Sequence, residues 1–221
     1  MSLMSFDTAK SAKKGELIYV YDPLCGWCFG FEPVVSAVTA DFKDQLDITV
    51  LSGGMVIGNR VGPLGPMADY IKQAIPRLEE TCNVKFGKAY YDNILFNKSY
   101  ISNSEKPCIA LTVLKELKPE ASMAFVHEMQ QAHFVHGKDL ENDSIYIPIL
   151  EKLSVQQIQF FEKLKDSNYK KKTFDEFERV KAMGIQGFPC LYIKLGDKMH
   201  RLAYGYRDEE SIRKQLTQLL K

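Results

Sequence analysis

The chain has 221 residues, 45% of them hydrophobic, and its 29 basic and 28 acidic residues leave a net charge of +1. That length and apolar content suffice for a sizeable core, as one large domain or a domain with a big insertion, and they exclude a disordered chain. The even charge gives no general attraction to nucleic acid or anionic lipid, and the single basic run, Lys170-Lys171-Lys172, reads as a solvated face.

Met1-Ser2-Leu3 before Met4 reads as a cloning scar and is set aside. After Lys13-Lys14 the apolar run is only residues 17–21 before Asp22 interrupts it, short of the roughly 7 to 15 residues of a secretory signal core. No stretch approaches the roughly 18 apolar residues of a membrane span. A cytoplasmic protein is expected, in surroundings that keep thiols reduced, and five cysteines without framework spacing agree with that.

Residues 17–21, Leu-Ile-Tyr-Val-Tyr, are predicted as a buried strand that Asp22-Pro23 ends. A helix is predicted over 27–42 from the spacing of Phe31, Val34, Val35, Val38 and Phe42, with a kink at Pro33. Cys25 then falls at the helix's N-terminal end, where free amides and the positive end of the dipole favour negative charge on a sulfur. Cys28, one turn further on, can reach back to Cys25, so the pair can cycle between dithiol and disulfide. The competing reading of Cys-x-x-Cys is half a zinc site. Cys82, Cys108 and Cys190 stand alone as small core residues, and the only close histidine pair, His133 and His136, lies on a predicted helix. The strand-turn-helix setting favours redox chemistry, with no metal and no cofactor.

A second strand at 47–51, ending at Ser52-Gly53-Gly54, completes a βαβ unit. Residues 63–169 read as helices only, at 67–74, 76–82, 86–95, 107–117, 119–135, 144–153 and 155–164, with Ser154 and Gln157 as a capping box. His127, His133 and His136 on these helices read as structural or exposed. Thr173 with Glu176 suggests a second capping box, opening a helix over 173–183 that Gly184 ends. Pro189 leads a strand, a position that suits a cis peptide, Gly196-Asp197 turns a hairpin, and 208–220 is a final amphipathic helix.

Cys25-Gly26-Trp27-Cys28 at a strand-to-helix junction, Pro33 eight residues after the first cysteine, and Gly187-Phe188-Pro189 before a hairpin resemble the thioredoxin fold. The long helical insertion narrows the resemblance to the DsbA-like branch. Residues 22–30, Ser52-Gly53-Gly54-Met55 and the segment Ala132-His133-Phe134-Val135-His136-Gly137-Lys138-Asp139-Leu140 are similar to its cytoplasmic FrnE-like members. The resemblance implies an α/β thioredoxin fold (βαβ plus ββα) with a thioredoxin-like domain from 15–62 and 170–221 and an inserted helical domain from 63–169.

It also implies thiol-disulfide oxidoreductase or isomerase activity on protein or small-molecule disulfides, with glutathione a possible partner. Cys25 would be the exposed nucleophile and Cys28 the resolving thiol. Pro189 would be a cis proline against the cysteines, the backbone of Phe188 would pair with substrate, and Trp27 would flank the sulfur with apolar surface. The dipeptide is Gly-Trp where DsbA has Pro-His, so strong oxidising power does not carry over; Cys190 is a further thiol near the site. Two other readings remain. Kappa-class glutathione transferases and hydroxychromene-carboxylate isomerases share the inserted fold, usually with serine in place of Cys25, and a related branch acts as a binding adaptor.

Overall fold

The computed structural model describes residues 13–221; Met1-Ser2-Leu3 lies outside them. A four-stranded sheet is built from β1 (Gly15–Tyr21), β2 (Leu46–Ser52), β3 (Cys190–Leu195) and β4 (Lys198–Tyr204), in the order β2-β1-β3-β4. β1 and β2 run parallel, in register from Gly15 opposite Leu46 to Tyr21 opposite Ser52, while β3 is antiparallel to both β1 and β4. β1 is central, which is why all five residues of its apolar run are buried on both faces rather than alternating.

One face, through Leu17, Tyr19 and Tyr21, packs under α1 (Gly26–Asp41) and the C-terminal α8 (Glu209–Leu219), which contributes Ile212 and Leu216. The other, through Ile18, Val20 and Cys190, is covered by Val180 near the end of α7 (Ser167–Ala182) and by Ile185 in the loop after it. Between β2 and β3 the chain is mostly helical: α2 (Gly65–Cys82), α3 (Glu105–Leu117), α4 (Ser122–Gln130), α5 (Tyr146–Lys152), α6 (Gln157–Lys165) and then α7. Two π-helical turns, Tyr91–Leu95 and Gln131–Val135, and a two-residue strand pair, Gly62–Pro63 with Ile101–Ser102, interrupt it.

Several expectations are corrected. α2 is one helix and not two, because the Pro76 ring lies on its solvent face, where the lost backbone bond opens to water. Ser154 has a left-handed φ of 52° and α6 is capped by Gln156 with no side-chain bond, so the Ser154–Gln157 box does not form. α7 starts at Ser167, capped by Asp166, whose carboxylate accepts from the Asn168 amide at 2.9 Å. Thr173 is buried inside that helix; its hydroxyl donates to the Tyr169 carbonyl at 2.7 Å and lies 2.8 Å from the hydroxyl of Thr112 on α3. Glu176 accepts from the Ser52 amide at 2.8 Å and pairs with Lys115. Both residues of the supposed box therefore bind α7 to α3 and β2.

Candidate functional site

Asp22 ends β1 and shapes the turn into α1. Its carboxylate is wholly buried and accepts three hydrogen bonds: from the Leu24 amide at 3.0 Å, the Met55 amide at 2.6 Å and the Ser104 hydroxyl at 2.9 Å. Burial raises its pKa above the ordinary carboxylate value, by more than these donors lower it. The Leu24 bond is a local Asx turn that any Asp-Pro-Leu could make. The other two join the turn to the loop after β2 and to the start of α3.

The turn delivers Cys25 as the N-cap of α1, in extended geometry (φ −85°, ψ 111°), with its Sγ accepting from the Cys28 amide at 3.3 Å. The helix end that favours negative charge therefore points at this sulfur. On its other side the thiol faces the Phe188 carbonyl at 3.7 Å, and the Phe188–Pro189 peptide is cis. Cys25, Phe188 and Pro189 are thus brought together from opposite ends of the chain. Cys25 is only 6% exposed, contrary to the expected exposed nucleophile, because the Phe188 loop lies against it. Cys28 is fully buried; burial first, then the neighbouring Cys25, drives its thiol pKa well above the ordinary value.

Trp27 is half-buried and packs against both the sheet core and the aromatic cluster formed by Phe29, Phe86, Tyr90 and Phe134. The Phe188 ring lies on Gly53: a Cβ there would come within 2.0 Å of the ring, which explains the glycine after β2. Cys190 is buried, donates to the Gly187 carbonyl at 3.2 Å, and burial pushes its thiol up to about 11. Cys108 and Cys82 are buried as well. His133 and His136 do not converge: His133 is buried with Nδ1 3.1 Å from the Lys138 carbonyl, whereas His136 is exposed. Sequence reasoning treated Asp22 only as a strand breaker; its Asx turn was legible, its distant partners were not.

A family model described as "DSBA-like thioredoxin domain" matches residues 16–217. The chain belongs to the DSBA-like thioredoxin domain family. Among solved structures it is similar to a candidate protein disulfide isomerase from Nitrosomonas europaea, with TM-score 0.81 and 25% identity, over 94% of this chain and 98% of that one. It is also similar to the cytosolic disulfide reductase DsbM from Pseudomonas aeruginosa, with TM-score 0.78 and 24% identity, over 92% and 98%. A 2-hydroxychromene-2-carboxylate isomerase shares the fold at TM-score 0.62 and 15% identity, over 92% and 94%. No curated protein matches. The expected DsbA-like α/β thioredoxin fold is therefore the observed one. No helix among the described residues is long and apolar enough to cross a membrane.

Proposed function

We propose that the chain is a cytosolic thiol-disulfide oxidoreductase or isomerase in which Cys25 attacks and Cys28 resolves. The observation that carries this reading is the position of the Cys25 sulfur, held between the Cys28 amide at a helix N-terminus and the backbone carbonyl that precedes the cis proline. Cys25 thiolate attacks one sulfur of a substrate disulfide; that S–S bond breaks, and the departing thiolate takes a proton from water. Cys28 then loses its proton and attacks the Cys25 sulfur of the mixed disulfide, releasing the second substrate thiol. Two electrons have moved to the substrate, and Cys25–Cys28 is left oxidised.

The raised pKa of Cys28 supports this division of labour, since a buried thiol that stays protonated is a poor first attacker. An extended substrate segment replaces the thiol contact at the Phe188 carbonyl, with Trp27 and Phe188 as apolar flanks and residues 63–169 as an inserted helical domain beside a thioredoxin-like domain of 15–62 and 170–221. Substrates are protein or small-molecule disulfides and dithiols; the structure of DsbM with GSH, which this chain resembles in fold, is consistent with a small thiol as partner.

The test is reduction of a model disulfide by the reduced protein, followed by a Cys28→Ser variant. Turnover by the parent and a covalent adduct on Cys25 in the variant are expected, and absence of both overturns the reading. Turnover that needs glutathione and survives Cys28→Ser moves the chain to the glutathione-dependent isomerases instead.

A further inference from the structure

The dithiol chemistry makes no use of the segment 132–140, which the sequence singles out. A cleft of about 800 Å³ opens on this segment, within the size range of small-molecule sites. Its walls come from the end of α4, the two π-helical turns, the loop after each of them, and α5; none of the cysteines and no part of the Phe188 loop lines it. Turns of this kind insert an extra residue into a helix and recur at functional sites.

The loop that floors the cleft is held at many points. The amides of His136, Gly137 and Lys138 donate back to the carbonyls of Gln131, His133 and Ala132. Buried His133 donates from Nδ1 to the Lys138 carbonyl at 3.1 Å, the Tyr146 hydroxyl donates to the Leu140 carbonyl at 2.8 Å, and the Glu141 amide donates to Asp139 Oδ1 at 3.0 Å. Gly137 has a φ of +58°, and a Cβ there would fall 2.1 Å from the Ala89 carbonyl oxygen, so only glycine allows this close approach. A loop so restrained has little ordering entropy left to lose when it binds.

Its charges are balanced. Of the two lysines and two acids in the lining, Lys152 and Glu128 pair with each other at 2.5 Å. Lys138, which has no ion-pair partner among the described residues, and the second carboxylate oxygen of Asp139, whose Oδ1 already accepts the Glu141 amide, remain to meet a ligand. Asn93, Gln131 and Asn142 line the same cleft, and the carboxamide of each can offer donors and an acceptor. We propose that this cleft binds a small zwitterion of the amino-acid or short-peptide class: Lys138 takes the carboxylate, Asp139 the ammonium group, and the carboxamides the amide bonds between them.

The probes are triglycine, N-acetyl-triglycine and triglycine amide, titrated into the full chain while backbone amide NMR shifts are followed. Because triglycine carries no thiol, and because Cys25→Ser must leave its binding unchanged, failure here is distinct from failure of the dithiol chemistry. Saturable shifts are expected within 131–142 and 93–100, with each capped peptide binding about three- to tenfold more weakly. Lys138→Gln should weaken triglycine by a similar factor and leave triglycine amide unaffected. No saturable binding, equal binding of all three peptides, uniform weakening by Lys138→Gln, or shifts centred on Cys25 would each overturn the proposal.

Discussion

Two turns, residues 22–28 and 136–141, each rest on one buried polar side chain, and the two supports differ in kind. Under the first, the Asp22 carboxylate gathers donors from three separate segments. Under the second, His133 gives a single hydrogen to a carbonyl, which fixes Nδ1 as its protonated nitrogen, and fills the rest of its space with Tyr90, Tyr100 and Phe134. A buried acceptor for several donors concentrates stability in one side chain, whereas a buried neutral ring spreads it over its packing neighbours. The two also respond to acid in opposite directions. Burial raises the pKa of Asp22, so protonating it relieves a strain on the fold; burial lowers that of His133 to about 4, so protonating it imposes one.

The contrast is broken most directly by Asp22→Ala, which orphans three donors at once and should destabilise the protein by about 3 to 4 kcal/mol in urea unfolding, with loss of disulfide-exchange activity. A loss under 1 kcal/mol would show that water replaces the carboxylate easily. Next comes the pH arm. An unfolded histidine titrates near 6.5 and folded His133 near 4, so the native state binds fewer protons between these values. Stability from this group is complete above about pH 6.5 and falls by about 3 kcal/mol by about pH 4. In His133→Gln that part of the pH slope should vanish, which denaturant midpoints measured across the window will reveal.

Gly53→Ala tests support by packing alone. Its new methyl must displace the Phe188 ring, with an expected cost of about 1 to 3 kcal/mol and a drop in exchange rate larger than the stability loss explains. Unchanged kinetics would detach Phe188 from the reaction. The smallest effect expected is for Thr173→Val, about 1 kcal/mol by thermal unfolding with activity intact, because its hydroxyl joins α7 to α3 away from both turns.

What could be read from the chain was local. The apolar run before Asp22-Pro23, the Cys25 cap and the proline at the head of β3 depend on near neighbours, and all three stand where the pattern put them. The support under the first turn was illegible because two of its partners are remote: Asp22 binds residues 33 and 82 positions away, and nothing near it in sequence announces them. Thr173 and Glu176 misled for a related reason, since side chains suited to capping a helix are equally suited to tying it to its neighbours. The π-helical turns leave no periodic mark, as one extra residue in a helix looks like ordinary drift in the apolar stripe.

The cover over Cys25 comes from a carbonyl 163 residues further along. A ribosome adding about 5 to 20 residues per second therefore releases the cysteine pair about 8 to 30 s before the Phe188 loop exists. Through that interval the nascent chain carries a bare dithiol, open to any oxidant it meets. Growth of the polypeptide itself, by bringing its last quarter home, is what closes the sulfur off.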